Sequence, residues 1–244
     1  ILAMGEEVWR VHTVGFPAID MISEGDYATQ DEVVRKLHLD LAKPIVLFTQ
    51  HSVTTEFSFA AEQVEPSLNA LKELAKTGVQ IIATYPNNDA GGLSIIKKLD
   101  KLDVQSVNNI QVHRSLGRYF YHGLLALSQD AQNKVVCVGN SSSGIKETPI
   151  FGCPTVNIGS RQKGRLRGQN VLDVNYNAGS IFNAINKCIK DKDFRTTCKK
   201  TDNPYYLGNA GEKIARVLSE VSIDTALICK KMTLQGECND GWCR

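Results

Sequence analysis

The sequence has no apolar run near the roughly 20 residues that span a bilayer as a helix, and no C-x-x-C or H-x-x-x-H spacing. It also has no Walker P-loop and no G-x-S-x-G elbow. These absences argue against a helical membrane protein, a zinc site of ordinary ligand spacing, a P-loop hydrolase and an α/β-hydrolase triad. Net charge is only +2, so no global field recommends nucleic acid or acidic membrane as a partner. Neither a metal nor a cofactor is expected. The start, Ile1-Leu2-Ala3-Met4, lacks an initiator methionine and a signal-peptide pattern, which leads us to expect an upstream portion.

The seven cysteines are an odd set with little clustering before Cys229, Cys238 and Cys243, a pattern that fits a reduced, cytoplasmic chain. Cys137 and Cys153 sit in apolar runs and are expected to be buried, inert thiols. Cys238 and Cys243 flank a polar stretch, residues 239–242, expected to be a flexible tail.

What is present is a soluble-protein composition, 42% hydrophobic and 22% charged, over 244 residues, long enough for a substantial core. Apolar runs of strand length recur at residues 45–48, 79–83, 110–112, 135–138, 155–158 and 171–174. Helical patterns lie between most of them. Val64, Leu68, Leu71 and Ala75 share one face of a helix that ends near Lys76 before Gly78, and Pro66 implies a kink or a late start. Further helices are expected over residues 90–101, with Leu93, Ile96 and Leu99 inward, and over 117–127, 179–190 and 209–218. Nearly all-apolar strands alternating with helices describe an α/β fold, a doubly wound parallel Rossmann-like sheet covered on both faces, over about residues 41–218.

Residues 11–14 read as a strand before the turn Gly15-Phe16-Pro17. We therefore divide the chain into residues 1–28, a hinge with the tail of a preceding domain, 29–220, a nucleotide-binding domain, and 221–244, a C-terminal tail.

The most informative segment is Gly139-Asn140-Ser141-Ser142-Ser143-Gly144, which follows an apolar strand and opens a helix. Small residues let a backbone approach an anion, and free N–H groups at a helix start donate to it. Glu147, one turn past Ser143, is placed to accept from vicinal hydroxyls such as those of a ribose. Three other polar segments fall at strand ends, where doubly wound sheets bind ligands: residues 49–55 with His51, 85–92 with Asn87 and Asp89, and 159–168 with Arg161, Lys163, Arg165 and Arg167.

His51 reads either as a phosphate donor and acid or as a structural histidine. Asn87 and Asp89 read as a cap for a helix beginning near Ala90 or as ligand contacts. Arginine suits a diphosphate through its forked donors. The aromatic cluster Tyr119-Phe120-Tyr121 reads as core packing or as one nucleobase platform.

The ordered set Gln50-His51-Ser52-Val53-Thr54-Thr55, Pro86-Asn87-Asn88-Asp89-Ala90-Gly91, Gly139 to Gly144 with Glu147, and Gly159-Ser160-Arg161-Gln162 resembles the UDP-N-acetylglucosamine 2-epimerase family, and especially its hydrolysing branch in sialic acid synthesis. The resemblance implies a glycosyltransferase-B-like architecture of two Rossmann-like domains, of which this chain would be the C-terminal half. It implies a UDP-sugar substrate, elimination of UDP after removal of the C2 proton, and hydration to N-acetylmannosamine. A non-hydrolysing epimerase and a non-catalytic sugar-nucleotide-binding module are the alternatives.

By the same resemblance Ser141 and Ser142 hold the diphosphate, Glu147 the ribose, Arg161 the phosphate side of the cleft and His51 the leaving phosphate. Asn87, Asp89 and Lys97 complete the expected UDP-binding set, Lys97 standing where some family members carry arginine. Base carboxylates are expected from the family's first domain, the partner this half requires for turnover, and assembly into a homo-oligomer is open.

Overall fold

Six strands pair in parallel, in the order β3-β2-β1-β4-β5-β6: β1 (Ile45–Thr49), β2 (Gln80–Thr84), β3 (Ile110–His113), β4 (Val135–Gly139), β5 (Thr155–Ile158) and β6 (Val171–Val174). The computed structural model describes residues 1–105, 109–231 and 233. Its helices are α1 (Ala18–Ser23), α2 (Gln30–Leu37), α3 (Ala60–Lys76), α4 (Gly92–Gln105), α5 (Gly117–Ala126), α6 (Ser143–Lys146), α7 (Ala178–Lys190), α8 (Lys192–Lys199), α9 (Ala210–Glu220) and α10 (Thr225–Ile228). None of the described helices is long and apolar enough to cross a membrane.

Every residue of β1, β2 and β4 is buried, the result of helices on both faces of the sheet. Alternation sends Val46, Phe48, Val136 and Val138 into one layer with Leu68 and Leu71 of α3, Ile95 and Leu99 of α4, and Ile181 and Ile185 of α7. Ile45, Leu47, Val135 and Cys137 enter the other layer with Val33 and Leu37 of α2, Leu124 and Leu125 of α5, and Phe151.

The chain divides into two compact units, residues 1–20 with 206–244, and residues 21–205, which holds the whole sheet. Within the smaller unit the Arg10 guanidinium binds the Glu7 carboxylate at 2.9 Å and the carbonyl oxygen of Leu227 at 2.9 Å, and the Gly211 N–H donates to Asp20 at 2.8 Å. Cys238, Cys243 and the stretch 239–242 lie outside the described residues.

Several local expectations are corrected. Residues 11–14 form no strand. The helix after β2 begins at Gly92 rather than Ala90, and its phase is rotated, so Leu93 is 76% exposed and Ile95 takes the inward place beside Leu99. A run of apolar residues offers two helical phases, and only packing chooses between them.

Pro66 does not delay α3, which runs from Ala60; the turn around it is braced by Gln50, whose Nε2 donates to the Gln63 carbonyl at 3.0 Å and whose Oε1 accepts from Ser67 Oγ at 2.6 Å. Gly78 occupies the left-handed position after the helix, as expected, at φ 91°. α2 is not among the helices expected from the sequence, although Thr29 and Glu32 spell a capping box: the Thr29 hydroxyl accepts from the Glu32 N–H, and Glu32 Oε2 accepts from the Thr29 N–H at 2.8 Å.

Gly139 and Gly123 are among the glycines that set close approaches. At Gly139, φ is 128° and a Cβ would lie 2.0 Å from the Thr49 carbonyl oxygen; at Gly123, a Cβ would lie 2.6 Å from the Ala28 oxygen. Gly139→Ala therefore combines a collision with a forbidden backbone conformation and is expected to destabilise the protein by about 3 kcal/mol or more in urea unfolding. A loss under about 1 kcal/mol would show that β4 can move away from β1.

Candidate functional site

Strand order reverses between β1 and β4, so the loops at their carboxyl ends part and leave a crevice. One residue ties that crevice together. Asn140, 1% exposed, accepts the His51 N–H on Oδ1 at 2.7 Å and donates from Nδ2 to the His51 carbonyl at 2.8 Å. Its own carbonyl accepts from Arg161 Nη1 at 3.1 Å and from Nε2 of the fully buried Gln162 at 2.7 Å.

Arg161 Nη2 lies 3.8 Å from Asp89 Oδ2, which accepts from Asn87 Nδ2 at 2.7 Å. The Asn87 N–H then donates to His51 Nδ1 at 2.9 Å, closing a ring of bonds through the ends of β1, β2, β4 and β5. The structure thus brings together His51, Asn87, Asp89 and Arg161. Asp89 is not the cap of a helix at Ala90: its carbonyl accepts from the Gly92 N–H, and its carboxylate serves the ring.

The ring sets the state of His51. Burial first, and then the Arg161 charge, lower its pKa from 6.5 to about 4, against the opposing influence of Asn87 and Asp89. The imidazole is neutral near pH 7. Because Nδ1 accepts from the Asn87 N–H, the remaining proton is on Nε2, and His51 offers a donor there. Burial also lowers the Arg161 pKa from its ordinary value, an effect that Asp89 opposes and Arg165 reinforces.

The serine turn departs from expectation in one respect. α6 is a single turn, Ser143–Lys146, followed by a 3₁₀ turn at Thr148–Phe151, so little macrodipole is available. Donors come from the turn itself: among the described residues, no hydrogen bond engages the N–H groups of Ser141 and Ser142 or the Ser142 hydroxyl. Glu147, its side chain 15% exposed, accepts on Oε2 from Ser143 Oγ at 2.8 Å and from His122 Nε2 at 3.0 Å.

Other expected groups stay apart. Lys97 is exposed on α4, and no hydrogen bond or ion pair among the described residues joins it to the ring. Of the cations on the 159–168 loop, Arg167 is paired with Asp173 and Lys163 and Arg165 are exposed, which leaves Arg161 as the loop's contribution to the ring. Phe120 and Tyr121 pack against the core; Tyr119 is exposed, with its hydroxyl 3.2 Å from Glu32. Cys137 and Cys153 are buried, and burial pushes the Cys137 thiol up to about 12 and the Cys153 thiol well above its ordinary value, so both are inert.

A cavity of about 670 Å³ lies against the same loop, lined by Asn157, Ser160, Lys163, Arg167 and Tyr176, but His51, the serine turn and Arg161 do not line it. Two of its charges, Arg167 and Asp173, pair with each other.

Sequence reading placed Asn140, Ser143 and Gln162 inside the segments it singled out but gave them no role, and it missed His122 as a member of the site. His122 had a detectable signal, a polar residue amid the apolar stretch Tyr119 to Leu125. Nothing local marks the partner of Gln162.

The family model described as UDP-N-acetylglucosamine 2-epimerase matches residues 1–219. The chain belongs to that family. It is 32% identical, over 93% of its length and 56% of the relative's, to the GDP/UDP-N,N'-diacetylbacillosamine 2-epimerase (hydrolyzing) of Campylobacter jejuni. It is 40% identical, over 90% of its length and 54% of the relative's, to the polysialic acid biosynthesis protein P7 of Escherichia coli. Its fold is similar to that of the Neisseria meningitidis UDP-GlcNAc 2-epimerase solved with UDP-GlcNAc, with a TM-score of 0.64 at 16% identity over 85% of this chain and 55% of the other. This 2-epimerase family chain spans about half the length of the curated relatives it matches. Its sheet is a Rossmann-like half of the glycosyltransferase-B kind seen in those neighbours.

Because the folded pKa of His51 is depressed, its contribution to stability is full above pH 6.5 and is lost as pH falls toward 4. The melting temperature of the wild-type chain should therefore fall more steeply across that window than that of His51→Gln. Parallel curves would contradict a buried, neutral imidazole.

Proposed function

We propose that this chain is the nucleotide-sugar-binding half of a hydrolysing UDP-N-acetylglucosamine 2-epimerase, which converts UDP-N-acetylglucosamine to N-acetylmannosamine and UDP. The observation that carries this reading is the ring through Asn140, which gathers the Arg161 guanidinium and the His51 Nε2–H at the sheet's switch point, beside the open serine turn. A forked cation, a neutral donor and unengaged backbone N–H groups suit a diphosphate.

In this reading Ser141, Ser142 and Arg161 hold the diphosphate, and Glu147 accepts from the ribose hydroxyls. Asn87 and Asp89 orient His51 and Arg161. Lys97 belongs to the set through the family resemblance alone. Charge builds on the UDP as it leaves, and the preorganised donors stabilise that charge. Because Nδ1 of His51 is occupied by the Asn87 N–H, the imidazole acts through its Nε2–H, a neutral donor to the phosphate oxygen that gains charge as UDP departs.

The two carboxylates that belong to the site are engaged: Asp89 by Asn87 and Arg161, Glu147 by Ser143 and His122. Neither suits removal of the C2 proton. We assign that base to the first half of the two-domain epimerase architecture, so these 244 residues by themselves bind without turning over. The name of the Campylobacter relative supports the hydrolysing outcome and makes GDP- or UDP-linked diacetamido sugars the second choice of substrate.

Ser142→Ala and Arg161→Ala are each expected to weaken UDP binding by about 1–3 kcal/mol in calorimetry. Unchanged affinity in both folded variants would remove the diphosphate from this turn. The purified chain should bind UDP yet release no N-acetylmannosamine from UDP-N-acetylglucosamine. Sustained turnover would overturn the assignment of the base elsewhere.

A further inference from the structure

His122 does no work in the reading above, and a histidine is an odd choice for its place. It is 4% exposed on α5, its ring lies 6.0 Å from that of Phe151, and its Nδ1 is buried without a hydrogen-bond partner among the described residues. A buried polar atom left bare is unfavourable, and a leucine would fill the position without that penalty. What the histidine gains is one contact, Nε2 to Glu147 Oε2 at 3.0 Å. An ionised carboxylate only accepts, so Nε2 donates.

Ser143 Oγ donates to the same oxygen at 2.8 Å. Both donors therefore occupy Oε2, while Oε1 accepts no hydrogen bond among the described residues. The support is rigid because α5 is seated closely: Gly123, next to His122, admits no Cβ against the Ala28 oxygen, and the Ala28 N–H donates to the Tyr119 carbonyl at 3.1 Å.

Resting on the assignment of Glu147 to the ribose, we infer that His122 is the positioning residue that holds the Glu147 carboxylate with Oε1 open toward a vicinal diol, and so sets the preference of the site for ribonucleoside over 2′-deoxyribonucleoside diphosphates. A glutamate held in one rotamer loses its side-chain freedom on folding rather than on binding, and a fixed acceptor discriminates between a hydroxyl and its absence better than a mobile one. His122 touches no ligand itself.

The test is calorimetric titration of the 244-residue chain with UDP, 2′-deoxy-UDP and inorganic pyrophosphate. His122→Phe should lower UDP affinity about tenfold, the loss of one well-placed charge-assisted hydrogen bond, narrow the gap between UDP and 2′-deoxy-UDP, and leave pyrophosphate within about twofold. His122→Gln, whose amide reaches the Nε2 position, should restore most of the discrimination. Should His122→Phe fail to fold, His122→Asn, whose donor stops short, is read against His122→Gln in the same way.

Equal losses for UDP and pyrophosphate in His122→Phe would overturn the inference. So would full discrimination in His122→Phe alongside lost discrimination in Glu147→Gln, an outcome that leaves Glu147 on the ribose. Full discrimination in Glu147→Gln would overturn the ribose assignment and the inference together.

Discussion

The site depends on the passage of β4 across the end of β1. Gly139 lies so close to the Thr49 carbonyl that no side chain fits, and the Asn140 N–H then donates to that same carbonyl at 3.2 Å. This contact delivers the Asn140 amide to the His51 backbone and its carbonyl to Arg161 and Gln162. A single buried asparagine thereby fixes the relative positions of the β1, β4 and β5 loops. Buried amides demand partners, so the arrangement is specified by polar satisfaction more than by apolar packing.

Electrostatics follow from that placement. Arg161, half-buried, keeps a carboxylate partner at 3.8 Å and a carbonyl at 3.1 Å, and its field together with burial keeps His51 neutral. A cation and a neutral donor can stand side by side where two cations would repel each other. The arrangement is ready for an anion: incoming negative charge relieves the desolvated arginine and meets the neutral Nε2–H donor of the histidine in the same step.

On the opposite side of the sheet from α3, α2 and α5 form the support on which Glu147 rests. The Thr29 capping box starts α2, the Ala28 backbone receives Gly123, and α5 in turn presents His122. Local capping chemistry and a carboxylate near the serine turn are thus links of one mechanical chain.

The sequence by itself determined the layers and their order along the chain. Six apolar runs separated by helical patterns can bury both faces only as a parallel sheet, and the expected strand centres all lie within observed strands. It also marked the strand-end segments that carry His51, Asn87, Asp89, Ser141, Ser142, Glu147 and Arg161, because small, polar and forked residues at those ends answer to local rules of turn geometry and charge. The inward phase of α4, the shortness of α6, the pairing of Arg167 with Asp173 and the partnership of His122 with Glu147 were decided only in three dimensions. Each depends on which side chain lies opposite another across 6 to 25 or more residues of sequence, and neither periodicity nor motif spacing encodes that distance in space. The neutrality of His51 is of the same kind: it arises from burial and from an arginine 110 positions away, brought close by the sheet's own register.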